Sequence, residues 1–279
     1  MNKQNQEVGD KSTAIQVAGN VYVGHNYEEI KKIFLDLFEL NFPRVQQQAK
    51  EIATQRVNDF LEELRKSFNK NKEAIDQSKF IDPGIQYEMQ QMAVDVARRG
   101  NKSNMELLSE LLCTITSSNC PELIELIASE TRKIIPMLSK KHLSYLSFEI
   151  LFLEGEFAGK TLEEINTSLK DIINHLDGLE NIGGGDISYL FSNGCIKARG
   201  IRVTGIVPSI VKSIKEYEKI DLPKLKIVLQ EKGLSNIETF ITLSEKLGIG
   251  TYYPSAYGRL IGWLNLGKYS GVDPKQLFE

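Results

Sequence analysis

"MLSKKHLSYLSFEILFLEG", Met137–Gly155, is the stretch on which the fold turns. It has the length of an ordinary helix but is apolar nearly all round, and a helix without a polar face is one contacted on several sides at the centre of other helices. It is not a bilayer span, which needs about 20 apolar residues, and it carries His142 and Glu149 in its interior. The segments on either side have the one-faced pattern of helices that pack around such a centre.

Working outward, Pro121 opens "PELIELIASETRKII" and Pro136 closes or kinks it. "DPGIQYEMQQMAVDVARRGN" begins with a proline near its first turn and stops at Gly100. Ser103 and Glu106 have capping-box spacing ahead of Leu107, Leu108, Leu111 and Leu112. Nearer the N-terminus, "NYEEIKKIFLDLFELNF" places Ile30, Ile33, Phe34, Leu37 and Phe38 at helical spacing. Pro43 then suits the first turn of a separate helix with the stripe Val45, Ala49, Ile52, Val57, Phe60, Leu64 and Phe68. On the C-terminal side, Thr161 and Glu164 repeat the capping-box spacing, and Gly183, Gly184 and Gly185 form the most flexible punctuation in the chain. Beyond them lie a short strand at "GIRVTGI" (200–206), a helix started by Pro208, a helix from a Ser235–Glu238 capping box and an aromatic tail.

"STAIQVAGNVYVG", Ser12–Gly24, differs from all of this. Ile15, Val17, Val21 and Val23 fall on one parity, which is strand periodicity, and Ala18-Gly19-Asn20 also suits a tight turn between two shorter strands. An isolated strand has unpaired edges, so it either pairs with another chain or folds as a hairpin against its own helices. The expected fold is therefore mainly α: a polar leader plus β-strand or hairpin over residues 1–26, an antiparallel multi-helix array over 27–182, and a smaller, mostly helical C-terminal subdomain over 183–279.

Composition narrows the function. The chain has 279 residues, 41% of them hydrophobic, enough for a core. A formal net charge of -3 draws it to neither nucleic acid nor an anionic membrane, so any such contact is local. The polar opening "MNKQNQEVGDKST" does not resemble a signal peptide, and the expected compartment is the cytoplasm. Cys113, Cys120 and Cys195 show no C-x-x-C spacing and His25, His142 and His175 are scattered. No disulfide framework, metal site or cofactor is indicated.

No nucleophile or metal motif names a catalytic residue. The triple glycine followed by Asp186 lacks the Lys or Thr of a phosphate loop and reads as a hinge or helix N-cap. Glu149, Glu154 and Glu156 are the nearest approach to a carboxylate cluster and read as solvated residues at a helix end. Lys197, Arg199, Arg202, Lys212 and Lys215 form a basic stretch with no acidic residue among them. It reads as a solvated face, with contact to a phosphate backbone as the alternative. The aromatic tail of Tyr252, Tyr253, Tyr257, Trp263 and Tyr269 is core or interface first and ligand pocket second, and Arg259 within it is an ion-pair partner or an anion contact.

Several stretches, "DPGIQYEMQQMAVDVARRGN", "LLSELLC", "IIPMLSKKHLSYLSFEILFL", "YLFSNGCI" and "YGRLIGWLNL", resemble an uncharacterised bacterial family labelled LPO/Vpar, over about residues 8–270. The opening "GDKSTAIQVAGNVYVG" resembles a short element that precedes effector and sensor domains in bacterial conflict systems, with Asn20 where Asp is frequent. The resemblance implies a cytoplasmic bacterial protein of a phage-defence locus and carries over no catalytic residue.

The expectation is a non-enzymatic interaction or scaffold protein, a homo-oligomer or a binder of a protein partner, acting in antiviral defence through Ile15, Val17, Val21 and Val23. The alternative is a nucleic-acid-binding effector or regulator that uses the 197–215 stretch, and a membrane partner is not expected.

Overall fold

The computed structural model describes residues 27–100, 102–157, 160–200 and 205–270. The alternating stretch with Ile15, Val17, Val21 and Val23 lies outside them, as does Arg202. The chain divides into two compact units, Met1–Ile52 and Ala53–Glu279.

The fold is mainly α, as the periodicity predicts. Among the described residues there are eleven α-helices and one sheet. The helices are α1 (Tyr27–Lys70), α2 (Pro83–Arg99), α3 (Lys102–Ile115), α4 (Glu122–Ile134), α5 (Lys140–Glu154), α6 (Leu162–His175) and α7 (Gly184–Ser192). They continue with α8 (Ser209–Lys212), α9 (Leu222–Lys232), α10 (Ser235–Leu247) and α11 (Ala256–Ser270). The strands β1 (Ile196–Ala198) and β2 (Tyr252–Pro254) pair antiparallel, Lys197 opposite Tyr253. No helix among the described residues is long and apolar enough to cross a membrane.

The all-round apolar segment is α5, the centre of the larger unit, and it buries every residue from His142 to Phe152. Phe148 and Phe152 converge on Phe240 of α10 with ring centroids 4.7 and 5.3 Å apart. Its most extensive partner is α11. That approach is close because Gly262 has no side chain: a Cβ there would lie 2.4 Å from Ile150 Cδ1 and 2.9 Å from the Leu146 carbonyl oxygen. Ser147 Oγ donates to the Gly262 carbonyl at 3.2 Å and accepts from Asn265 Nδ2 at 2.8 Å, so the polar groups trapped in this contact satisfy one another.

Local chemistry sets most boundaries. Asp82 accepts from the Gly84 and Ile85 amides at the start of α2, and Gly100 ends that helix with φ 44°. Thr161 and Glu164 form the reciprocal cap of α6. Several expectations need correction. The break at Pro43 does not occur, since α1 runs through it for 44 residues, about 66 Å at 1.5 Å per residue. One missing amide is outweighed by strong helix formers on both sides. Within the stripe assigned to this region, Phe60 is buried and Leu64 and Phe68 pack on the core, but Ala49 and Ile52 are exposed.

Ser235 is the first residue of α10 rather than its cap. The role falls to Asn166 of α6, whose Oδ1 accepts from the Asn236 and Ile237 amides at 2.9 and 3.1 Å. A neighbouring helix thus supplies what the local sequence seemed to offer. A short strand forms at Ile196–Ala198, and residues 201–204 of the strand expected at 200–206 lie outside the described residues. Helix α9 is capped by Asp221, which accepts from the Lys224 amide, with Pro223 in its first turn.

Candidate functional site

On α2, Glu88 falls inside the apolar stripe of Ile85, Met89, Met92 and Val96, and Asp95 follows two turns later. On α4, Arg132 sits among Ala128, Thr131 and Ile135. Charges placed on buried faces demand partners. Arg132, 3% exposed, donates from Nε to Glu88 Oε2 at 2.7 Å and from its other arm to Asp95, while Ser129 donates to the second Glu88 oxygen. The guanidinium locks α2 to α4. Breaks in two apolar stripes were the sequence signal for it.

Both helices also carry exposed apolar residues. Tyr87 and Val94 on α2 and Leu123 and Leu126 on α4 are exposed, Leu126 at 71%, and Ile81 just before α2 is 80% exposed. Between the helices opens a cleft of about 410 Å³ with Ile85, Ile115 and Ala128 at its apolar wall and Asp82, Glu88 and Glu125 as its carboxylates. Lys79 closes one side through a 2.7 Å pair with Glu125. Exposed apolar residues on rigidly held helices suit a protein-binding surface.

The triple glycine serves as a helix start. Gly183 caps α7, and Asp186 Oδ2 accepts from the Gly183 amide at 2.9 Å. The same carboxylate takes Lys141 Nζ at 2.8 Å and His142 Nε2 at 3.0 Å, which holds Asp186 at about 2, through the Lys141 hydrogen bond first and the Gly183 amide next. The anion position at this helix N-terminus is therefore filled by the protein itself. His142 Nδ1 accepts from the Ser139 amide at 3.2 Å, its ring stacks on Tyr189 and both its nitrogens are engaged.

The basic stretch is split by the fold. Lys197 and Arg199 project from one side of the β1–β2 ribbon, where Arg199 lies 5.8 Å from the Tyr253 ring centre and donates from Nε to the Tyr252 carbonyl at 3.2 Å. Lys212 belongs to α8 and lines a different cleft of about 620 Å³ with Ile206, Ile220, Leu222 and Lys226. Lys215 is exposed on the short turn after α8. Of the aromatic tail, Trp263 is buried, Tyr252 and Tyr257 pack against the core and Tyr253 is exposed. Arg259 is an ion-pair partner, its Nε 2.6 Å from Glu154.

The carboxylates of α5 differ from the expected solvated group. Glu156 is exposed and Glu154 half-buried, but Glu149 is 0% exposed and neither of its oxygens has a hydrogen-bond partner. Burial pushes its carboxyl up to about 8, against a smaller downward pull from Arg199. One turn earlier on the same face, Tyr145 is also fully buried with an unpartnered hydroxyl, and burial raises it as well. The signal was present in the all-round apolar helix, where a glutamate at the middle had no polar face to occupy.

No group of three or more His, Cys, Asp and Glu positioned to hold a metal occurs among the described residues. Cys113 and Cys195 are buried thiols and Cys120 is half-buried. Burial pushes the Cys195 thiol up to about 12, away from the reactive thiolate.

No curated protein and no solved structure matches the chain. A family model described as ":-like" matches residues 24–244, well over half of the chain, and the protein therefore belongs to that family.

Proposed function

We propose that this protein is a non-enzymatic interaction or scaffold protein that assembles with further copies of itself, in the setting of bacterial phage defence. The observation that carries the reading is the exposure of the apolar residues Tyr87, Val94, Leu123 and Leu126, on two helices joined by the buried Arg132. Exposed apolar side chains on rigidly joined helices suit a partner that covers them. The alternating stretch of residues 12–24 supplies a pairing strand in the same reading, with Ile15, Val17, Val21 and Val23 as its buried parity. The defence setting rests on the likeness of that stretch to conflict-system elements. Light scattering on the intact chain, on a chain lacking residues 1–24 and on Leu126→Glu tests it: the intact chain is oligomeric and each change lowers its mass.

A second reading has its own observation. Lys197 and Arg199 flank the exposed Tyr253 ring on one side of the ribbon, and a cation beside an exposed aromatic ring suits stacking on a single-stranded nucleic acid. In that case the intact chain binds single-stranded nucleic acid at low salt and the triple change of Lys197, Arg199 and Arg202 to Ala flattens the salt dependence. An intact chain that does not bind at low salt removes this reading.

A further inference from the structure

Glu149 and Tyr145 leave three polar atoms without partners in the most buried helix of the fold. Native interiors rarely tolerate such groups without a reason. The ribbon of β1 and β2 bears on that face of α5: β2 packs against α5, Tyr252 is within electrostatic reach of Tyr145, and Arg199 is within reach of Glu149. Among the described residues, the elements packed on α5 carry few other charged or titratable groups. Glu154 of α5 is paired with Arg259 of α11, Lys212 of α8 and Glu180 of the turn beside α5 are exposed, and Tyr257 of α11 is half-buried. Arg199 is therefore the cation placed to answer a charge on Glu149.

The ribbon is unequally held. At one end the Ser255 amide donates to the Cys195 carbonyl at 2.9 Å, the Cys195 amide donates to Leu190 at 2.9 Å, and Gly258 abuts the same carbonyl. At the other end the two bonds from Arg199, to Thr251 and to Tyr252, both stay within the ribbon and its adjoining turn. Three residues per strand is a marginal sheet whose stability comes from what it packs on.

We propose that the β1–β2 ribbon is a strap over Glu149 that lifts from α5 at its Arg199 end when the carboxyl ionises, admitting water to the carboxylate. While the strap is down Glu149 is protonated, because ionisation there would leave a buried carboxylate with no partner. Lifting exposes the carboxyl to water and lowers its proton affinity, so a rising pH favours the lifted state. The strap also carries the outward Lys197, Arg199 and Tyr253, and the presentation of that surface follows the protonation of Glu149.

Hydrogen exchange of the full chain between pH 5 and 9, corrected for the intrinsic pH dependence of amide exchange, reads the strap directly. Protection over residues 195–199 and 251–255 falls about tenfold per pH unit between pH 5 and 8 and levels off above, as release of one proton requires. Glu149→Gln abolishes this slope, Arg199→Gln carries it to higher pH by removing the charge that eases ionisation under the strap, and protection at the centre of α5 stays constant throughout. A pH-independent ribbon in the wild-type chain overturns the proposal, as does an equal slope in Glu149→Gln. The wild-type slope decides the matter by itself if Glu149→Gln does not fold.

Discussion

Replacing Arg132 with Met removes the guanidinium that joins α4 to two carboxylates of α2 and leaves a side chain of similar length. Glu88, whose side chain is 9% exposed, then keeps Ser129 as its partner and loses its cation, whereas Asp95, at 23%, can turn to water. Removing one partner of a buried pair costs about 3–5 kcal/mol, and the stranded charge on Glu88 carries most of it. Converting Glu88 to Met as well removes the stranded charge, so the double variant regains most of the loss and stands within about 1–2 kcal/mol of the wild type. Urea unfolding of the wild type, both single variants and the double variant measures the cycle, with an unchanged slope as the check that the unfolding transition is the same. A double variant as unstable as the sum of the two singles refutes the reasoning, because the cost would then lie in lost packing and not in an unpaired charge.

Other outcomes follow from the same contacts. Asp186 is held at about 2 against an ordinary 3.8 by Lys141, the Gly183 amide and His142, so its stabilising effect is complete above the ordinary value and is lost as pH falls toward 2. Unfolding midpoints between pH 2 and 5 therefore decline less steeply for Asp186→Asn than for the wild type, and parallel acid limbs would count against this linkage. A Cβ at Gly258 would stand 2.0 Å from the Cys195 carbonyl oxygen and 2.9 Å from its carbon, both backbone atoms that cannot swing aside. Gly258→Ala should cost about 1–3 kcal/mol as overpacking, whereas Gly184→Ala, with nothing within 4 Å, should change stability by about 1 kcal/mol or less.

The helical character of the chain was legible because apolar spacing, prolines and caps all agreed across α2, α4, α5 and α6. Where a distant residue supplied the decisive group, local pattern misled: Asn166 took the capping role that Ser235 appeared to offer, and α1 continued through a proline that suggested a break. The site was less legible for a related reason. Glu88, Asp95 and Arg132 interrupt apolar stripes with no local sign of which of them meet, and Glu149, expected to be solvated, is buried. Lys197, Arg199, Lys212 and Lys215 show the converse, since nearness in sequence grouped residues that the fold divides between a ribbon, a helix and a turn.

The claim that the chain works by assembly is tested most directly by its mass in solution. Light scattering coupled to size exclusion, at protein concentrations spanning two decades, should give the intact chain a mass above 31.5 kDa that rises with concentration. Removal of residues 1–24 and Leu126→Glu should each bring it toward the monomer while helical content is retained. A mass of one chain at every concentration, unchanged by either alteration, would contradict the account.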